Sequence, residues 1–400
     1  MPKFQEWVRK FEWKSFLIYL YVLFLPLSDW SPIKINSYII IILSLIWFFG
    51  LILYKKQQYP VLSPSFFLLS GLFLIQWVSF VHGGAYADIF SNLIIKLPLL
   101  IFPLVWHVFD PSVSFQNMKR SFIAGTILGC IFSFRFLIDA SYSLSDVLDY
   151  TLYENYLVLH RPYFGIYLLV AISFLIDELR HHGWCLILLI LLLFFLYLIQ
   201  AKICWLALFF VLLIHFAFHR SKLTRIFLTV ALSLIVVMLV LGAAFYYHQH
   251  QNELNEASGL KRFFILSVNT RMVHYDCAGY IIQHHLFAGA GSGNTTDLMN
   301  QCYSLSHPEF DPAGKYFNAH NEFLEEGMRH GLWGLLTYFI CFFFFFKKAL
   351  QDRHKNYIQF LVIIFIASLT ESLFSRSQGV LLFAFLNTFF YIKGSPTKRG

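Results

Sequence analysis

In the last quarter of the chain lies Asn318-Ala319-His320-Asn321-Glu322-Phe323-Leu324, followed by Gly331-Leu332-Trp333-Gly334-Leu335-Leu336. An imidazole titrates near neutral pH and can take a proton from a hydroxyl, so His320 is a candidate general base. The other reading of a histidine at an apolar boundary is a hydrogen-bonding or packing residue. The chain has 16 histidines, including His284, His285 and His307 in the same polar stretch, and none is spaced like a known metal-ligand set. Upstream, Arg271, His274 and Tyr275 fall at spacings that share one helix face. Between the two groups runs Gly289-Ala290-Gly291-Ser292-Gly293-Asn294. Such a run lets backbone N–H groups approach a phosphate, and it equally suits a turn between two helices. No strand of a nucleotide fold precedes it, so the dinucleotide reading fails.

Cations at the ends of apolar runs form the third group. Arg161 stands in His160-Arg161-Pro162-Tyr163-Phe164, and Lys202 in the tight connection Gln200-Ala201-Lys202. Arg376 follows Glu371 in the turn before the last apolar run, and these two can simply pair. A cation at a membrane interface is a functional candidate, and snorkelling to headgroups is its plain alternative. Lys96 and Arg135 lie in or near apolar runs, where headgroup pairing and a cavity wall both remain open. One base and several cations suit an anionic, lipid-linked substrate. A diphosphate needs cationic or N–H donors, and as a leaving group it is helped by charge stabilisation.

The elements that must position these residues are membrane helices. At 58% hydrophobic, 20% aromatic and 13% charged, with 47 Phe, the composition excludes an ordinary soluble domain. A crossing takes about 20 apolar residues, which leaves room for about a dozen. The apolar runs predict spans at 15–29, 36–54, 64–82, 88–107, 118–139, 162–178, 184–200, 203–219, 224–246, 331–348, 356–372 and 379–392. Most of the Lys and Arg fall in alternate short connections, which places both termini in the cytoplasm. The net charge of +8 is therefore topological rather than a sign of nucleic-acid binding. Residues 1–14 are basic and amphipathic and lead into further spans without an A-x-A site, so the first span is expected to act as its own insertion signal. The expected division is an N-terminal bundle over 1–246, an external loop over 247–330, and terminal spans with a short tail over 331–400. Residues 260–287 have helical periodicity without the apolar length to cross, as in a helix lying on the membrane surface or covering the bundle. Cys277 and Cys302 both fall in the external loop, where a disulfide is allowed but not dictated. No internal repeat is visible, which weighs against a transporter or flippase.

The order Asn269-x-Arg271, Leu286-Phe287-x-Gly289-x-Gly291-x-Gly293, His320-Asn321-x-Phe323-Leu324 and Gly331-x-x-Gly334 resembles the O-antigen ligase / O-antigen polymerase family. The resemblance is specific over about 267–336 and looser from Thr370 through Val380. It implies an all-α polytopic glycosyltransferase of the GT-C-like type with about twelve spans and one large periplasmic helical loop. Such an enzyme is inverting and metal-independent, needs no cofactor, and sits in the bacterial inner membrane with its site facing the periplasm. It moves O-antigen glycan from undecaprenyl diphosphate to a sugar hydroxyl of the lipid A core, or, as a polymerase, to another lipid-linked repeat unit. The resemblance implies His320 as base, Arg271 as a diphosphate contact, and Lys202 where relatives usually carry arginine. Lysine keeps that charge and loses the bidentate geometry. Arg161, Arg376, Asn321, Gly291 and Gly293 are the remaining expected substrate contacts, and Arg329 stands where many relatives are acidic.

Overall fold

The computed structural model describes residues 13–28, 35–53, 63–109, 113–137, 157–179, 182–199, 201–218, 260–308 and 318–393. These residues form helices and turns, with no strand among them. In chain order the helices are α1 (Trp13–Phe24), α2 (Ile35–Leu53), α3 (Pro64–Leu74) and the short α4 (Ser79–His82). Then come α5 (Tyr86–Lys96), α6 (Pro98–Phe109), α7 (Phe115–Ser133), α8 (Arg161–Glu178), α9 (Cys185–Leu198) and α10 (Lys202–Ala217). The last are α11 (Leu260–His284), α12 (Thr295–Ser306), α13 (Glu322–Gln351), α14 (Lys355–Ser368) and α15 (Ser377–Lys393). The expected spans fall on helical segments, 64–82 on α3 and α4 and 88–107 on α5 and α6, while 224–246 lies outside the described residues together with 247–259. Three stretches among the described residues are long and apolar enough to cross a membrane, Pro64–His82, Tyr86–Trp106 and Glu322–Gln351.

Two helices are apolar all round and accordingly sit inside the bundle. α15 is buried at every position from Gln378 to Phe390 and packs on α3, α6, α13 and α14. α8 is buried from Tyr163 to Leu175 and touches α7, α9, α10 and α14. Phenylalanine fills the seams: Phe383 meets Phe342, Phe345, Phe360 and Phe374, while Phe385 meets Tyr21, Phe102 and Trp106. The outer faces are apolar too. Ile41, Ile42, Leu45 and Phe48 on α2, Ile187 and Ile190 on α9, and Trp333, Ile340 and Phe343 on α13 are all exposed. A surface of that kind is covered by lipid rather than water, which marks a membrane protein.

A second, smaller core caps the bundle. Cys277, Ala278 and Ile281 of α11 pack with Met299, Cys302 and Tyr303 of α12, with Ala319, and with Met328 of α13. Cys277 and Cys302 form a disulfide, which settles a pairing the sequence left open. The cap docks where α13 bends. Gly331 has φ 60° and ψ −145°, and a Cβ there would lie 2.5 Å from the Leu286 carbonyl oxygen. Only glycine takes that backbone at that distance. The bend falls on the boundary expected between loop and terminal spans, and it divides α13 into two helical parts that meet at Gly331. On the bundle side the cap is tied by charge. Lys96 of α5, left unassigned from sequence, is buried and pairs with Glu326 at 2.5 Å.

Candidate active site

His320 sits in the turn that starts α13. Its φ is 46°, a left-handed conformation that a non-glycine residue keeps only under local constraint. Four bonds supply it. His320 N–H donates to Asn318 Oδ1 at 3.1 Å, and Ala319 N–H to Glu325 Oε2 at 2.8 Å. Asn321 is the N-cap of α13, its Oδ1 accepting from Phe323 N–H at 2.9 Å and Leu324 N–H at 3.1 Å. Its Nδ2 donates to the Leu369 carbonyl at 3.0 Å, so both ends of the Asn321 amide are engaged inside the protein.

The 369–376 turn supplies the residue that sequence reasoning placed elsewhere. Glu371, which on sequence alone can pair with Arg376, faces Arg271 and His320 instead. Its Oε1 accepts from Arg271 Nη2 at 3.1 Å, and its Oε2 lies 3.6 Å from His320 Nδ1. One buried carboxylate thus joins the two residues read as base and phosphate contact. It faces the Nδ1 edge of the imidazole beyond hydrogen-bond distance, which leaves Nε2 on the opposite edge of the ring. Glu322 and Glu325, in the first turn of α13, hold the carboxylate's own loop. Glu322 Oε2 accepts from Phe374 N–H at 2.8 Å, and Ser372 Oγ donates to Glu325 Oε2 at 3.4 Å. Nothing in the local sequence signals these bonds, because the partners lie 47 and 52 residues apart.

Lys202, the first residue of α10, lies within electrostatic reach of both Arg271 and Arg161, the first residue of α8. The fold therefore brings Lys202 and Arg161, each the first residue of a helix, near Arg271, which lies midway along α11 and bonds Glu371. Arg376 comes from the 369–376 turn and, like Glu371, lies within electrostatic reach of Tyr163. It lines a polar cavity of about 480 Å³ with Asp88, Asn92, Thr296, Asn318 and Glu325. It also borders a more apolar groove walled by Ile41, Phe90, Ile94 and Ile101, and the two spaces share Ser91, Ile95, Ser375 and Arg376.

The glycine run serves the cap's docking. Ala290 N–H donates to the Met328 carbonyl at 2.7 Å and Gly291 N–H to the Arg329 carbonyl at 3.0 Å. The Gly293 carbonyl accepts from Ala85 N–H at 3.1 Å. Gly291 thus spends its donor on α13, and neither glycine joins the cluster around His320 that the expected contacts with substrate would share. Arg329, the departure from the family pattern, pairs with Glu325 at 2.5 Å and donates to Asn92 Oδ1 at 3.1 Å. Its positive charge therefore balances a buried carboxylate of the same helix. Among the described residues no cluster of His, Cys, Asp and Glu is arranged to hold a metal ion.

No curated protein matches this chain. A family model does, and the matched stretch holds Lys202, Arg271, the glycine run, His320 and Gly334, while Arg161, Glu371 and Arg376 lie outside it. Residues 187–339 match the model described as O-antigen ligase, the family that the Asn269 to Gly334 motifs resemble.

Proposed function

We propose that the protein is an inverting glycosyltransferase of the ligase type, moving O-antigen glycan from undecaprenyl diphosphate to a hydroxyl of the lipid A core. The observation that carries this reading is the shared carboxylate: Arg271 at 3.1 Å and His320 at 3.6 Å from the two oxygens of Glu371. That arrangement couples a proton acceptor to an anion-binding cluster. Arg271, Lys202 and Arg161 hold the donor diphosphate. His320 Nε2 takes the proton of the acceptor hydroxyl, and the imidazolium so formed is stabilised by Glu371. The hydroxyl oxygen bonds to the anomeric carbon from the face opposite the diphosphate. The bond from that carbon to the phosphate oxygen breaks, the electron pair leaves with the diphosphate, and the cations neutralise it. The polar cavity beside Asn318 suits acceptor sugars, and the adjoining apolar groove suits their lipid. Gly291, Gly293 and Asn321 shape the loops around these spaces. About twelve spans in a GT-C-like bundle, cytoplasmic termini and a site on the periplasmic face of the inner membrane complete the proposal. The disulfide in the cap supports an oxidising compartment.

The test is transfer by purified protein from undecaprenyl-diphosphate-linked glycan to lipid A core in EDTA, with products resolved by size. Glycan on the core, lost by a factor of about 10² to 10⁴ in His320→Ala, is the expected result. Longer chains on undecaprenyl diphosphate with the core untouched would make the protein a polymerase. Unchanged transfer in His320→Ala would remove the base assignment.

A further inference from the structure

A second imidazole lies against His320 and has no part in the reading above. His274, on the face of α11 that also carries Arg271, is 1% exposed. Its ring centroid is 5.2 Å from that of His320, with the planes 31° apart. Its Nδ1 is 2.7 Å from the Tyr303 hydroxyl of α12. The residues that carry this contact are themselves fixed. Cys277 lies one turn beyond His274, Cys302 adjoins Tyr303, and the two are disulfide-bonded. The His320 ring therefore has Glu371 facing its Nδ1 edge and His274 against one face.

We propose that His274 is a positioning residue for the transfer reaction, its ring aligned by Tyr303 and serving as the wall that sets the plane of the His320 imidazole. The proposal rests on His320 being the base. Chemistry favours a neutral ring in that place. A proton leaving the acceptor hydroxyl puts positive charge on His320, and a charged neighbour would oppose it. The groups facing His274 are Tyr303 from α12, His320 from the turn before α13 and Arg271 on its own helix, with Glu371 beyond His320. Burial first, then the charges of His320 and Arg271, push His274 down to about 4. Burial also raises the Tyr303 phenol, so Tyr303 keeps its proton, which it donates to Nδ1 when the His274 ring carries its own proton on Nε2.

Three variants and two readouts test this. Tyr303→Phe removes only the aligning bond, His274→Phe keeps a flat wall without that bond, and His274→Ala removes the wall. The first readout is kcat for transfer from undecaprenyl-diphosphate-linked glycan as a function of pH. The second needs no substrate: the rate at which diethyl pyrocarbonate modifies His320, followed by peptide mass spectrometry. Tyr303→Phe should lower kcat about tenfold with donor KM unchanged. It should also move the acid limb of the kcat profile toward neutral pH, since Nδ1 is then open to protonation. His274→Ala should lower kcat about 100-fold through misplacement of the base and raise His320 modification several-fold. His274→Phe should fall between them. If His274→Ala does not fold, the other two variants decide. Folded variants with unmoved kcat, pH profile and modification rate would overturn the proposal. A wild-type protein without transfer activity, in which His320 modification still responds to His274, would instead sink the proposed function and leave the positioning role standing.

Discussion

Around His320 the backbone is held by the His320 N–H bond to Asn318 and the Ala319 N–H bond to Glu325, while the ring lies between the Glu371 carboxylate and His274. Changes at these partners should therefore affect rate more than fold. Glu371→Gln keeps the shape and removes the charge that stabilises both the imidazolium and Arg271. Transfer should drop by about 10 to 100-fold with the protein folded, as measured by initial rates at saturating donor. Arg271→Lys should cost a similar factor, because lysine cannot hold Glu371 and a phosphate through one planar fork. His274 gives a stability signature of its own. Its folded pKa of about 4 lies below the ordinary 6.5, so the unfolded chain binds the proton first as pH falls. The stability is present above pH 6.5 and is lost between 6.5 and about 4, a difference of about 3 kcal/mol. Thermal unfolding at pH 7.5 and 4.5 should show a larger loss of Tm in wild type than in His274→Phe, and equal losses would contradict it. Much of this was legible in the sequence, since His320, Arg271 and the face shared by Arg271 and His274 are local patterns. Glu371 was not, because its pairing with Arg271 spans 100 residues, and Arg376, five positions along the chain, offers it a nearer partner on paper.

At the scale of elements, the site depends on where α13 begins and where it bends. Asn321 does two jobs at that start, capping the helix and tying it to Leu369. Asn321→Ala should lower stability by about 1 to 2 kcal/mol. It should also cut transfer by loosening the His320 turn, whereas Asn321→Asp, which keeps the cap, should recover most of the stability and less of the activity. The glycine run was legible as a loop but not in its purpose. Phosphate cradles and tight docking turns use the same residues. What separates them is the destination of the N–H groups, here the carbonyls of Met328 and Arg329. The cap's disulfide closes 25 residues of chain, and its removal by Cys302→Ser should cost about 3 kcal/mol. If α11 and α12 act as one positioning unit, reduction of wild type should lower transfer without releasing donor.

Across the whole molecule, α13 is the element that relates the site to the membrane. It runs for 30 residues from Glu322 to Gln351, with His320 just before its first turn. The kink at Gly331 divides it, and residues 332–351 beyond the kink span about 30 Å at about 1.5 Å per residue, close to the hydrocarbon thickness. Its first turns carry Glu322, Glu325 and Glu326, all buried against the bundle and cap. Its last turns carry Lys347 and Lys348, and Arg353 and Lys355 follow. The proposed orientation has the Lys347–Lys355 end in the cytoplasm, since basic residues gather there while Arg329 near the other end is paired with Glu325; His320 is then outside, which an oxidised Cys277–Cys302 pair also suits. The remaining cysteines, Cys130, Cys185, Cys204 and Cys341, are buried, so an introduced thiol can be read against a quiet background. Ser306 at the end of α12 and Gln351 at the end of α13 are both exposed. In intact spheroplasts a membrane-impermeant maleimide should label Ser306→Cys and leave Gln351→Cys untouched until the membrane is opened. Labelling of both from outside would mean that α13 does not cross. The reverse pattern would place His320 in the cytoplasm, away from any acceptor displayed on the outer face, and transfer to lipid A core at that face would then have to be abandoned.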